Sequence, residues 1–314
     1  MSLVIPFVGQ VDKAEELGWI AALGAKLPEV RIAPLSELTD EIRQAAQIAI
    51  VANPRPDELA ALPNLVWIHS VWAGVERMVS ELSDRDFEIT RLIDPELSRT
   101  MAEAVLAWVL YLHRDMPAYD RLQKEHIWKA LPYRKPAQRT VGILGLGALG
   151  QGAAEILRQH NFSVIGWSRS KKNLPYIQTF DGAEGLKSVI SHSDILVVLL
   201  PLTDQTRELI DASLFAVMPT GAGLINFARG AILQTDDLVD ALDNGPLAHA
   251  VLDVFETEPL PADDPLWEHK DITILPHISA PTDMETASEI VAGNIRGYLE
   301  TDEFPERVDR VRGY

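Results

Sequence analysis

The 314-residue chain contains no cysteine, which excludes disulfides, thiolate metal sites and a cysteine nucleophile and is compatible with a reducing compartment. Positive charge is scarce as well: 28 Lys and Arg stand against 46 Asp and Glu, a formal net charge of −18. That balance disfavours nucleic acid or an anionic membrane as a partner, and an anionic ligand would need a local basic patch working against the field of the whole chain. No apolar run approaches the ~18 residues of a membrane span, and the amino terminus lacks a basic stretch leading into a long apolar one. Repeats and low-complexity segments are also missing. A cytoplasmic globular protein is expected, and the length points to two domains.

What is present centres on Gly145-Leu146-Gly147-Ala148-Leu149-Gly150, a G-x-G-x-x-G run that follows the apolar stretch Val141 to Leu144. Gly145 allows a tight turn out of a strand, Gly147 lets backbone approach a pyrophosphate, and Gly150 lets the next helix pack closely. Ala148 and Leu149 open that helix, whose N-terminus would face the anion. Spaced glycines alone serve any strand-turn-helix corner. Here Ala153, Ala154, Ile156 and Leu157 continue a helical pattern, and a second apolar run, Phe162 to Trp167, follows at βαβ distance. A dinucleotide site is the reading that this context favours.

The residue after the second strand decides which dinucleotide. An acid there would accept hydrogen bonds from both ribose hydroxyls and repel a 2′-phosphate. The chain instead has Ser168-Arg169-Ser170-Lys171-Lys172, donors and positive charge that run against the overall negative balance. NADP is therefore preferred, with NAD possible; the alternative is a solvated basic turn.

Upstream, an apolar run at Leu3 to Val8, a helical pattern from Asp12 to Lys26, and apolar runs at Ile48 to Ala52 and Leu65 to Ile68 suggest a small α/β domain of its own. After Ile68 comes His69-Ser70-Val71-Trp72-Ala73-Gly74-Val75-Glu76, a small-residue turn that either presents backbone N–H groups to a carboxylate or simply joins a strand to a helix. Thr100 to His113 reads as a long buried helix, and the polar segment Tyr119 to Pro136 has the composition of a domain crossing. Downstream, apolar runs at Asp194 to Leu200, Gly223 to Phe227, Leu247 to Val254 and Ile272 to Leu275 read as further strands of a mostly parallel sheet. Ligands of such sheets gather beyond the strand carboxyl ends. Arg229, Glu258 and His277 lie past three of those ends: a permanent cation, an acid and an imidazole, the set needed to bind a carboxylate and move a proton near neutral pH.

Asn226-Phe227-Ala228-Arg229-Gly230, Leu252-Asp253-Val254-Phe255-Glu256-Thr257-Glu258-Pro259-Leu260 and Pro276-His277-Ile278-Ser279 resemble the signatures of the D-isomer-specific 2-hydroxyacid dehydrogenases, over nearly the whole chain. Within that family the chain is most similar to the glyoxylate/hydroxypyruvate reductase branch, through Trp167-Ser168-Arg169-Ser170, Gln123 to Pro132 with Trp128, and Met101-Ala102-Glu103. The resemblance implies an α/β fold of two domains: a Rossmann-type doubly wound parallel sheet over residues 100–283, and a smaller flavodoxin-like substrate domain from residues 1–99 and 284–314. The helices near Thr100 and Met284 would carry the crossings, and closure would exclude water from the reacting groups. His277 would be the acid, Glu258 its partner, and Arg229 the clamp on a small 2-oxo acid. Trp72, Ala73, Gly74 and Val75 become a second carboxylate anchor. Leu200, Pro201, Ala228 and Asp253 join Gly145, Gly147, Ala148, Leu149, Gly150, Ser168, Arg169 and Ser170 as cofactor contacts. No metal is expected, and a homodimer joined through the cofactor domain is.

The implied activity is NADPH-dependent reduction of a glyoxylate- or hydroxypyruvate-type acid to the D-2-hydroxy acid. The alternatives are a larger 2-oxo acid, or a dinucleotide-sensing interaction protein. The chain departs from the family pattern at Trp72, usually Gly, and Glu76, usually Asp. An indole beside the loop either narrows the pocket toward the smallest acids or lines it for a longer apolar side chain.

Overall fold

Short runs of Val, Ile, Leu and Ala flanked by glycine or polar residues form the central strands of two parallel sheets, because a strand covered by helices on both faces needs apolar side chains at successive positions. The computed structural model describes residues 3–310, 312 and 313. It divides into two compact units, Met1–Glu96 with Thr282–Tyr314, and Leu97–Pro281.

In the first unit the strands β1 (Val4–Gly9), β2 (Arg31–Pro34), β3 (Ile48–Ala52), β4 (Trp67–Ser70) and β5 (Glu88–Thr90) make one sheet of order β2-β1-β3-β4-β5, all neighbours parallel. This is the flavodoxin-like order. Alternation along β3 sends Ile48, Ile50 and Ala52 into one core and Ala49 and Val51 into the other. The first of these cores is completed from the far end of the chain by Ala287, Val291, Ala292 and Ile295 on the helix Met284–Thr301. Asp12 caps the helix Lys13–Lys26, its carboxylate accepting from the Glu15 N–H at 2.8 Å. Asp94 ties the two chain segments of this unit together: its carboxylate accepts from the Glu96 N–H (2.8 Å) and from the Thr286 hydroxyl (2.6 Å).

In the second unit β6 (Thr140–Leu144), β7 (Ser163–Trp167), β8 (Gln178–Phe180), β9 (Ile195–Val198), β10 (Ala222–Asn226), β11 (Leu247–Leu252) and β12 (Ile272–Ile274) form a parallel sheet of order β12-β11-β10-β9-β6-β7-β8. The order reverses between β6 and β9, the point at which doubly wound sheets hold dinucleotides. Val141, Ile143, Val197 and Ile225 face a core shared with Val105 and Val109 of the helix Pro95–His113 and with Leu157 of the helix Ala148–Gln159. Leu144, Leu196, Val198 and Leu252 face the opposite core, against Leu186 and Val189 of the helix Gly182–Ser191.

The polar segment Tyr119 to Pro136 is not a crossing. It lies inside the second unit, where residues up to Lys124 finish the helix Met116–Lys124 and the rest runs over the surface with Trp128 and Tyr133 exposed. Its composition marks exposure to water. The units part instead at Glu96/Leu97, inside an amphipathic helix, and at Pro281/Thr282. No helix of the described residues is long and apolar enough to cross a membrane.

Candidate active site

Gly145 follows β6 with φ +101°, and a Cβ there would lie 2.5 Å from the Leu199 carbonyl oxygen, so the turn admits glycine alone. Gly150 is barred from a side chain by contact instead: its Cβ would sit 1.8 Å from the Gly145 carbonyl oxygen, which sets how closely the helix Ala148–Gln159 approaches the loop. Gly147 is different. It caps that helix, and a Cβ added to it would meet no protein atom within 4 Å. The space over Gly147 is therefore open, beside the backbone N–H groups of Ala148 and Leu149 at a helix N-terminus, and these residues fit a pyrophosphate. Leu200 is buried just past β9, and the Pro201 carbonyl accepts from the Thr206 hydroxyl at 2.6 Å.

The basic turn leaves β7 under restraint. The Trp167 indole N–H donates to the Gly182 carbonyl (2.8 Å), the Ser168 amide to the Phe180 carbonyl (3.1 Å), and the Ser168 hydroxyl to the Ser170 carbonyl (2.7 Å). Ser168 is thus buried with its proton engaged inside the loop, while Arg169, Ser170 and Lys171 are exposed. Ser168 can still accept from a ribose hydroxyl; donation falls to its neighbours.

The Arg229, Glu258 and His277 side chains converge. His277 Nδ1 lies 2.7 Å from Glu258 Oε2, and Glu258 Oε1 accepts the Phe255 N–H at 2.8 Å. The Glu258 hydrogen bond raises the His277 pKa above its ordinary value, against the effect of burial and of the nearby Arg229 charge. For Glu258 burial acts upward, and the bonds from His277 and Phe255 outweigh it, so its pKa is lowered. Both shifts favour the charged pair, an imidazolium beside a carboxylate. Arg229 Nη1 donates to the Ala228 carbonyl at 2.6 Å, and its charge acts on both members of the pair.

Two buried polar side chains hold these loops. Asn226, fully buried at the end of β10, accepts from the Ala228 N–H (3.1 Å) and donates to the Arg229 carbonyl (3.0 Å), folding the loop that carries Arg229. Asp253, 2% exposed at the end of β11, accepts from the Ile278 N–H (2.7 Å) and the Ser279 N–H (2.9 Å), while its own carbonyl accepts the His277 N–H (2.9 Å). Those three bonds over-determine His277 at φ +54°, a left-handed conformation that histidine adopts at a cost. Asp253 was read from the sequence as a cofactor contact; here both of its carboxylate oxygens are engaged by the backbone of the His277 loop. Gly230 brings the loops together: a Cβ there would fall 2.1 Å from the Phe255 carbonyl carbon. Sequence reading passed over Asn226 as a site residue; its signal is an amide at the end of an otherwise apolar strand, which burial obliges to find partners.

Trp72, Ala73, Gly74 and Val75 lie in the first unit, in the loop after β4. The Trp72 amide donates to Ser70 Oγ (3.0 Å) and its carbonyl accepts the Leu92 N–H (3.0 Å), while the half-buried indole packs against the core that contains Trp19 and Leu92. Beneath the loop His69 is fully buried, with Nδ1 2.9 Å from the Ser70 carbonyl and Nε2 2.8 Å from the Asn294 amide nitrogen. Burial pushes its pKa down to about 4, so the ring is neutral. Among the described residues no cluster of His, Asp and Glu could hold a metal ion.

Residues 106–279 match the model of the D-isomer specific 2-hydroxyacid dehydrogenase NAD-binding domain. A glyoxylate/hydroxypyruvate reductase A of Serratia proteamaculans is 37% identical over 96% of this chain and 96% of its own length. Among solved structures, a D-isomer specific 2-hydroxyacid dehydrogenase of Xanthobacter autotrophicus Py2 in complex with NADPH and MES superposes with a TM-score of 0.92 at 38% identity, covering all of both chains. An NADPH-dependent glyoxylate/hydroxypyruvate reductase of Sinorhizobium meliloti in complex with NADP and sulfate gives a TM-score of 0.90 at 33% identity over 99% of each chain.

Proposed function

The chain belongs to the D-isomer-specific 2-hydroxyacid dehydrogenase family of oxidoreductases, and from that premise we propose that it is an NADPH-dependent reductase of a glyoxylate- or hydroxypyruvate-type 2-oxo acid. The observation that carries the reading is the His277–Glu258 pair at 2.7 Å with the Arg229 charge acting on it. When bound, NADPH supplies the hydride to the carbonyl carbon. His277, held through Nδ1, gives the proton on Nε2 to the carbonyl oxygen and takes it back in the oxidative direction. Glu258 keeps the ring oriented and charged until that transfer. Arg229 binds the carboxylate and the carbonyl oxygen through a planar donor fork, which a lysine cannot reproduce. The amides of Ala73, Gly74 and Val75 serve the carboxylate as a second anchor; the Trp72 amide is already engaged by Ser70.

NADPH in preference to NADH rests on Arg169, Ser170 and Lys171, exposed where a 2′-phosphate would lie, and the Xanthobacter and Sinorhizobium proteins were crystallised with NADPH and NADP. A homodimer is part of the proposal, supported by the exposed Trp128 and Tyr133 of the second unit; sedimentation at micromolar concentration tests it. The decisive experiment is a panel of 2-oxo acids, from glyoxylate to long apolar ones, run with each nicotinamide. Turnover is expected with small acids and NADPH. No turnover across the panel, with His277→Ala indistinguishable from wild type, would overturn the assignment.

A further inference from the structure

The basic turn has to present its cations to one phosphate, and a ten-residue crossover between β7 and β8 would do this poorly if it moved freely, because each residue ordered on binding costs backbone entropy. The structure restrains the turn at alternate residues. At Ser168 the amide is held by the Phe180 carbonyl, and at Ser170 the carbonyl is held by the Ser168 hydroxyl. At Lys172 the carbonyl accepts from the Thr179 hydroxyl at 2.5 Å. Arg169 and Lys171 are the residues between these fixed points, and both are exposed. The first comes from Phe180, the last residue of β8, and the second from within the turn. The third comes from the middle of β8, where Thr179 pairs with Gly166 of β7, so it ties the turn's far side to the sheet.

Building on the NADPH reading above, we propose that Thr179 is a positioning residue for cofactor choice: its hydroxyl fixes Lys172 and so pre-orders Arg169 and Lys171 for the 2′-phosphate. Thr179 acts through Lys172, not by contact with ribose or phosphate. Its effect falls only on the ligand that carries the phosphate, since NADH makes no use of the ordered cations. A merely structural role for Thr179 in β8 would instead weaken both cofactors together or lower stability alone.

The test is the dissociation constant of NADPH and of NADH, read by nicotinamide fluorescence on the full chain, for wild type, Thr179→Val, Thr179→Ser and Arg169→Asp, with kcat for each at saturating cofactor. Thr179→Val keeps the branched shape of the side chain and removes the donor. It is expected to weaken NADPH about 2- to 10-fold, the usual worth of one intramolecular hydrogen bond, with NADH binding and kcat unchanged, and Thr179→Ser should restore NADPH binding. An unchanged NADPH constant in Thr179→Val, or equal weakening of both cofactors, overturns the proposal. If the valine variant melts below the assay temperature, Thr179→Ala takes its place under the same criteria. Arg169→Asp separates this proposal from its premise. If it leaves the NADPH to NADH ratio unchanged, the NADPH reading falls and the role of Thr179 falls with it. If it inverts the ratio while Thr179→Val does not move it, only the role of Thr179 is overturned.

Discussion

In the proposed reduction His277 has to hold its proton when the hydride arrives, and the Glu258 hydrogen bond favours this by raising its pKa above 6.5. The reductive kcat/KM is therefore expected to be level on the acid side and to fall as pH rises through that raised value. Glu258→Gln removes the charge and the carboxylate acceptor, so the falling limb should move to lower pH; a limb that stays in place counts against the pair. His277→Ala should cost about 10²- to 10⁴-fold in kcat, the usual contribution of a positioned acid. Arg229→Lys keeps charge but loses the fork, and a 10- to 100-fold fall in kcat/KM is expected from the worth of about one charged hydrogen bond. In stability the pair works in a window. The His277 contribution is complete below 6.5 and is lost as pH rises through its raised pKa, while that of Glu258 is complete above 4.5 and is lost as pH falls through its lowered one. His69 has the opposite sign. Its folded pKa of about 4 lies below the unfolded 6.5, so the unfolded chain takes the proton first and the first unit loses about 3 kcal/mol as pH falls across that interval. A His69→Gln chain, followed by urea unfolding from pH 7 to 4, should show a shallower loss than wild type.

Elements were legible in the sequence where both of their faces are covered. The runs read as β3, β6, β9, β10 and β11 are central strands, and their apolar residues are continuous because two cores demand it. Of the four edge strands β12 was read from its apolar run, whereas β2, β5 and β8, three or four residues long, were passed over. With one flank open they need less apolar surface, and Arg31, Glu88 and Gln178 begin them. Missing β8 also hid the strand that carries Thr179. The convergence of Arg229, Glu258 and His277 was legible because each follows a central or recognisable strand, whereas Asn226 sits inside one and was not singled out. The glycine loop offers a test at this scale. Gly147→Ala places a Cβ in open space at φ −73°, so the melting temperature should hold while NADPH binding weakens. Gly150→Ala drives a Cβ onto the Gly145 carbonyl, and melting temperature and binding should fall together. If both variants behave alike, the loop is not a phosphate cradle.

At the scale of the molecule the two units differ in how they are threaded. The second is one continuous stretch, Leu97–Pro281, with its own pair of cores. The first is made of both chain ends, and its sheet rests on Ala287, Val291, Ala292 and Ile295, all of them buried. A chain ended after Pro281 should therefore keep a folded second unit that still binds NADPH, while the segment before Glu96 becomes open to protease. Retention of a protease-resistant first unit would show that the helix Met284–Thr301 is dispensable to its core. The same threading sets an order of events during synthesis. The residues before Glu96 leave the ribosome first yet lack their covering helix until residue 301 has been added, a wait of roughly 10 to 40 seconds at usual elongation rates. The dinucleotide-binding unit is complete before then, so the nascent chain is expected to acquire its cofactor site while its N-terminal strands still depend on chaperones.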